Sequence, residues 1–332
     1  MNNSGKWLDV DDADAPASIA ARAAIKSRLC HVRSLLEQTA ARSRASAEDI
    51  HQLRVATRRA VAALDAFANF IPKRRAKRLR RRLNKLRDAA SVIRDLDIVS
   101  ESSRGSHCFG STTAEEKVPR QLHRLISQRR KLAQKSLTRF TRSKDQRKLR
   151  RLAKGITKRV RWRGPGEEPS FAEAAGDSLS LASSVFFDAA AARLWDAGSL
   201  HRMRIRAKRL RYSLELLGGA FEPDAVNQVY AEITLIQQQL GDINDRAMTR
   251  ATYKYWLTEP GELPQTIDAA ADNEQVENAL AEYVRGLMAL QESRLVGLVG
   301  TFRECWTDQR QEELRKQLDR LQPTTGESSS TP

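Results

Sequence analysis

The sequence predicts an all-α protein made of two antiparallel four-helix bundles that arose by internal duplication. Three observations carry this expectation. Residues 51–67 (HQLRVATRRAVAALDAF) and 201–217 (HRMRIRAKRLRYSLELL) align without a gap, so His51, Arg54, Arg58, Arg59 and Leu64 recur as His201, Arg204, Lys208, Arg209 and Leu214 at a constant offset of 150. The same offset lays SVIRDLD, with Ile93 and Asp95, over GDINDRA, with Ile243 and Asp245. A repeat of this period divides 332 residues into two units of ordinary domain size. Apolar residues recur at three- and four-residue spacing through both units, and no segment has sustained period-two alternation or a hairpin signal.

The elements follow in order. Residues 1–16 are acidic and are expected to form a flexible arm. The first helix runs from residue 17 to about 44, with Ile25, Leu29, Val32 and Leu36 at helical spacing and Arg22, Lys26 and Arg33 between them. Ser46 followed by Asp49 has the spacing of a cap and opens helix two, which carries the repeated stretch and ends near Pro72. Helix three starts there and continues to about Ser100. Ten of the fifteen residues from 73 to 87 are Lys or Arg, among them Arg74, Arg78, Arg81, Arg82 and Lys85, yet Leu79, Leu83 and Leu86 keep helical spacing. That pattern is a cationic helix with an apolar seam rather than a basic tail.

The Ser- and Gly-rich stretch SSRGSHCFGSTT reads as a loop. Helix four is expected from about 114 to 162, with Arg124, Lys131 and Lys135 in one sector and Leu122, Ile126, Ala133, Leu137 and Phe140 opposite. The first unit therefore covers residues 17–163, and Gly164, Pro165, Gly166 and Pro169 mark a linker over 164–169. The second unit, 170–322, repeats the plan. Ser170 with Glu173 caps helix five, helix six begins near Ser199, and Phe221-Glu222-Pro223 opens helix seven with proline in the first turn. After a break at 259–264, helix eight is expected to reach about Leu321, with interruptions at Gly286, Gly297 and Gly300. The tail 323–332, PTTGESSSTP, is expected to be disordered.

Three cysteines, Cys30, Cys108 and Cys305, form no paired spacing, which predicts reduced thiols in a cytosol-like compartment. The amino terminus is acidic and lacks the apolar segment of a signal peptide, and no apolar run approaches the roughly 20 residues of a membrane span. A soluble, cytoplasmic protein without membrane contact is the expectation. Its net charge of +17 is unevenly placed: residues 1–165 hold 41 Lys and Arg against 15 Asp and Glu, whereas residues 166–332 hold 17 against 26. The first unit alone is strongly electropositive, and such a concentration repels itself and attracts polyanions.

On a helical wheel His51, Arg54, Arg58 and Arg59 lie on one side, with Leu53, Ala60, Ala63, Leu64 and Phe67 opposite. In the second copy His201, Arg204, Lys208, Arg209 and Arg211 share a sector opposite Met203, Leu210, Leu214 and Leu217. Arginine grips two phosphate oxygens at once, and lysine adds a less directional charge, so a row at i, i+3, i+4 and i+7 spaces grips along several phosphates. The histidine can donate to a phosphate oxygen or add charge when protonated. Ion pairing of the same arginines with Asp65 and Glu215 is the competing reading, and the recurrence of the motif argues against it. Glu48-x-x-His51 has the spacing of a carboxylate-bundle metal pair, but its counterpart is Gly198-x-x-His201, so no metal site is expected. Asp95 and Asp245 read as caps or partners of the motif arginines. No phosphate-binding glycine loop, zinc spacing or nucleophile signature occurs, and neither catalysis nor a cofactor is expected.

The doubled His–Arg–Arg pattern in an all-helical chain resembles the CHAD family, the conserved histidine α-helical domains. The resemblance rests on the two long stretches, supported by SVIRDLD and LGDIND, and spans residues 17–322. It implies two four-helix bundles related by a pseudo-twofold axis, and binding of inorganic polyphosphate along a basic surface or groove between them. It also implies association with polyphosphate granules. The family's basic positions correspond to His51, Arg54, Arg58, Arg59, His201, Arg204, Lys208 and Arg209. The expected ligand surface adds Arg74, Arg78, Arg81, Arg82, Lys85 and Arg211, with Arg22, Lys26, Arg33, Arg124, Lys131 and Lys135 as a secondary basic surface. Weak nucleic-acid binding is the alternative, since a phosphate-binding face holds any such polyanion, but aromatics are only 6% of residues and are not interleaved with the basic rows. The oligomeric state is left open.

Overall fold

The computed structural model describes residues 6–8, 12–42, 45–104, 113–191, 196–259, 263 and 273–321. The expected loop after Arg104, most of the break before α9 and the carboxy-terminal tail lie outside them. The described residues form ten α-helices and no strands. These are α1 (Ala17–Ala41), α2 (Ala47–Ala66), α3 (Lys73–Arg104), α4 (Thr113–Thr141), α5 (Ser143–Thr157), α6 (Phe171–Ala190), α7 (Ala197–Leu217), α8 (Pro223–Thr258), α9 (Asn273–Cys305) and α10 (Asp308–Asp319).

The helix starts follow local chemistry. Ser46 Oγ accepts from the Asp49 amide at 3.1 Å while the Asp49 carboxylate accepts from the Ser46 amide at 2.8 Å, a complete capping box. Ser170 and Glu173 repeat it at 3.2 and 2.8 Å. Glu222 caps α8 with Pro223 in its first turn. Helix α7 starts slightly before Ser199, because Asp196 accepts the Ser199 amide at 2.8 Å.

Two expected long helices are each broken in two. The helix expected over 114–162 would be about 73 Å long at 1.5 Å per residue, well beyond the span of its neighbours. It ends instead at Thr141, where Gln146 Nε2 donates to the Thr141 carbonyl at 2.9 Å, and the chain turns so that Leu149 and Ile156 of α5 become buried. The final helix likewise ends at Cys305. Trp306 is buried, stacked on Phe302, and Thr307 Oγ1 accepts the Arg310 amide at 3.2 Å to start α10. The interruptions expected at Gly286, Gly297 and Gly300 do not occur: α9 runs straight through all three. An isolated glycine weakens a helix without ending it when packing holds the flanking turns.

Helices adjacent in sequence pack together from α1 to α5 and from α6 to α9, α10 packs on α6 and α8, and α1 meets α6, α2 meets α7, α3 meets α8 and α4 meets α9 across the halves. One continuous apolar core therefore joins the halves, reaching from Ile25, Leu29, Val32 and Leu36 of α1 to Leu314 and Leu318 of α10. A second cluster closes the far end, where Leu96, Leu122 and Ile126 pack with Tyr253, Trp256, Leu280 and Val284. The segment before α1, expected as a free arm, is pinned where it is described. Ala15 and Ala13 carbonyls accept the Phe171 and Ala172 amides at 2.9 and 2.8 Å, Leu8 N donates to the Glu215 carbonyl at 3.1 Å, and the Trp7 ring lies 5.0 Å from that of Tyr230. Burying Trp7 against α8 offsets the entropy of ordering these residues.

Candidate functional site

The apolar faces of α2 and α7 decide which side chains remain for chemistry. Leu53, Ala60, Ala63, Leu64 and Phe67 are buried on α2, and Met203, Leu210, Leu214 and Leu217 on α7. Since α2 and α7 pack against each other, their remaining rows meet. His51, Arg54 and Arg58 face His201, Arg204 and Lys208 around a cavity of about 640 Å³ between the halves. Helix α3 supplies Ser91, Arg94 and Asp95 as a third wall, and α8 supplies Asn244 and Asp245 as the fourth. A neighbouring cavity of about 700 Å³ shares Arg58, His201, Arg204 and Lys208 and adds Arg87 and Arg209, with Val61, Leu181 and Ile205 as its apolar lining.

The electrostatics of the central cavity are those of cations crowded together without enough counter-charge. Burial, followed by the charges of Arg58, Arg204 and Arg54, pushes the Lys208 ammonium down to about 6. Burial and the neighbouring Arg58 push Arg54 down to about 10. Arg204 is lowered by burial and Arg58 even though Asp245 lies opposite, 3.8 Å from its guanidinium. The Nε atoms of Arg54 and Arg204 are buried without a hydrogen-bond partner in the protein. Asp95 is raised by burial, a change that Arg54 opposes and Asp245 reinforces. Such a constellation is relieved by an anion that accepts these donors and neutralises the charges.

The two histidines occupy corresponding places with different partners. His201 Nδ1 lies 2.8 Å from Asn244 Oδ1, so the ring donates there and its Nε2 offers a proton to an anion only as imidazolium. His51 has Arg94 where His201 has Asn244, and its imidazole is pushed down by burial and by Arg94, Arg54 and Arg58, against the opposing charge of Glu48.

Other residues expected at the ligand surface have different employment. Arg59 reaches across the halves to the buried Glu215, with Nε to Oε2 at 2.6 Å and Nη2 to Oε1 at 2.9 Å. Burial alone would lower its pKa, but the hydrogen bond and charge of Glu215 raise it. Arg211 also lies 3.7 Å from Glu215, and Tyr230 donates to the same carboxylate at 2.9 Å. The ion-pair reading is thus the correct one for Arg59, whereas Arg211 is near the same carboxylate but its buried Nε has no hydrogen-bond partner in the protein. Arg82 pairs with Asp145 and lies over the Phe140 ring. Arg74, Arg78, Arg81 and Lys85 are exposed and line neither cavity. At 100° per residue they sit about 140–200° round α3 from Arg94, on the side away from the cavity.

Of the secondary surface, Arg22 donates to the Val160 carbonyl at 3.0 Å and Arg33 pairs with Glu37 at 3.4 Å, while Lys26, Arg124, Lys131 and Lys135 are exposed and outside both cavities. Helix α4 therefore does not widen the cavity; α3 and α8 wall it instead. The sequence reading missed Arg94, Ser91 and Asn244 as lining residues. Arg94 and Asn244 occupy equivalent places beside Asp95 and Asp245 in the second repeated segment, which was the available signal.

The CHAD domain family model matches residues 23–254. The crystal structure of the CHAD domain from the plant Ricinus communis superposes with a TM-score of 0.67 at 20% identity, covering 96% of this chain and 97% of that one. PptA from Streptomyces chartreusis superposes with a TM-score of 0.63 at 16% identity, covering 88% and 99%. Among curated proteins none matches.

Proposed function

The chain belongs to the CHAD domain family, and from that premise we propose that it binds inorganic polyphosphate in the cavity between its halves, without catalysing a reaction. The observation that carries this reading is the half-buried set Arg54, Arg58, Arg204 and Lys208, facing one another from α2 and α7 with only Asp95 and Asp245 as carboxylates on the same walls. Folding has placed like charges together at a cost, and the donors on Arg54 and Arg204 have no partner in the protein. A linear polyanion with an oxygen-rich surface and no apolar body fits both features. A planar arginine fork donates to two phosphate oxygens at once, and the shared residues Arg58, Arg204 and Lys208 let one chain run from the central cavity into its neighbour. The chain's place in the cell would follow from its ligand, at polyphosphate granules.

Binding is tested by competition at fixed ionic strength between long-chain polyphosphate and single- or double-stranded nucleic acid, with polyphosphate expected to prevail. Preference for nucleic acid would overturn the assignment. Replacing Arg54, Arg58, Arg204 and Lys208 together by Ala is expected to weaken polyphosphate binding and remove the chain held in the cavity while the helical circular dichroism is retained. Unchanged affinity in that folded variant would remove the cavity from the site.

A further inference from the structure

The two segments densest in Lys and Arg lie largely outside the cavity. Residues 73–87 carry ten Lys and Arg with no Asp or Glu, and residues 142–163 carry eleven with Asp145 as the single carboxylate. Asp145 is already paired with Arg82. These two segments are neighbours in space, because α3 packs on α5 and the Arg75 guanidinium lies against Gly155.

The exposed rows can be placed by the contacts that flank them. On α3, Arg75 and Arg82 point to α5, and Arg74, Arg78 and Arg81 follow next around the helix, further from the cavity. On α5, Leu149 and Ile156 are buried, and Lys148 and Arg151 lie on the flank shared with Gly155, beside α3. The two rows therefore border one outer face, with α3 and α5 packed side by side beneath it. All five of these side chains are exposed.

We propose that this outer face, built on Arg74, Arg78 and Arg81 of α3 with Lys148 and Arg151 of α5, is a second polyphosphate site, so that one protein holds two segments of polyanion on opposite sides of α3. The inference rests on the polyphosphate reading of the cavity for its choice of ligand, but it is a separate surface with separate residues. Two features favour polyphosphate over other polyanions. No large apolar side chain is exposed in either segment, so nothing there enters a membrane, and Trp162, the one aromatic among these residues, is half-buried against Phe70 and cannot stack a base. What remains is charge alone, and polyphosphate is chosen among backbone-bound polyanions on the reading of the cavity. A protein with two such sites cross-links long chains and drives their assembly into larger bodies.

The test is the stoichiometry of a short polyphosphate of defined length, measured by titration calorimetry on the full chain. Two chains per protein are expected for the native sequence. The variant Arg74→Glu, Arg78→Glu, Lys148→Glu, Arg151→Glu is expected to take one, with the affinity of that first chain unchanged. With long-chain polyphosphate, the native protein is expected to scatter light strongly and the variant to remain clear. A single chain bound by the native protein, or two chains still bound by the variant, would refute the second site. Displacement of the outer chain by duplex DNA at equal phosphate concentration would refute polyphosphate as its ligand. Failure of the cavity reading looks different: the fourfold Ala variant of Arg54, Arg58, Arg204 and Lys208 would then keep both chains.

Discussion

At the scale of single residues, Lys208 is where folding and the proposed polyanion binding oppose each other. Its folded-state pKa, about 6, lies below its ordinary value of 10.5, so between those limits the unfolded chain binds more protons than the folded one. Stability contributed by this site therefore rises with pH through that window and falls as pH drops toward 6. Lys208→Met is expected to raise the melting temperature at pH 7 and to flatten its dependence on pH, as followed by thermal unfolding. A bound polyanion reverses the balance by favouring the charged ammonium, so binding takes up a proton and affinity is expected to weaken as pH rises above 6. Titration calorimetry in buffers of different ionisation enthalpy reads that proton directly, and Lys208→Arg is expected to remove it. Glu215 is the opposite case, a buried carboxylate satisfied by Arg59 and Tyr230. Glu215→Ala leaves those partners unpaired and is expected to destabilise by about 3–5 kcal/mol in denaturant unfolding. The wheel alone gave Arg58 and Arg59 equal standing, and only the position of Glu215 on α7 separates a cavity-facing arginine from an ion-paired one.

At the scale of elements, the sequence was most legible where a start depends on a few adjacent residues. The boxes at Ser46 and Ser170 and the proline at 223 all open helices as read. Stops were less legible. The breaks after Thr141 and Cys305 follow from the need to fold α5 and α10 back onto the core, a demand that no local signal states fully, although Thr307-Asp308 is a readable cap in retrospect. The glycines of α9 are the reverse case, a local signal that packing overrides. An added Cβ at Gly286, Gly297 or Gly300 meets nothing within 4 Å, and none of the three has positive φ. Replacing each by Ala is expected to stabilise by roughly 0.5–1 kcal/mol, measured by thermal unfolding. Helix α4 is fastened by the buried pair of Arg130 with Asp97, at 2.6 Å, and by Arg130 donating to the Ala45 carbonyl at 3.1 Å. Arg130→Ala is expected to cost about 3–5 kcal/mol on the same measurement, because it strands a buried carboxylate.

At the scale of the whole molecule, charge is divided between a cavity shared by both halves and an outer face belonging to the first. Polyphosphate affinity at the cavity is expected to fall linearly with the logarithm of salt concentration, because each neutralised phosphate releases counterions. With the outer face removed by Arg74→Glu, Arg78→Glu, Lys148→Glu and Arg151→Glu, adding the fourfold Ala change is expected to lose most of that slope, read by fluorescence titration across salt. The sequence by itself determined that the chain is all-helical, that His51 and His201 stand at equivalent places, and which faces of α2 and α7 are buried. Periodicity and recurrence are local properties of a chain, and they survive folding unchanged. Only the tertiary structure decided which cations share a site. Arg54, Arg58, Arg204 and Lys208 converge because α2 packs on α7, Arg59 is withdrawn by Glu215, and Arg74, Arg78, Arg81 and Lys85 turn to the opposite side of α3. Electrostatic role depends on distances between residues far apart in the chain, and those distances exist only once the helices have packed.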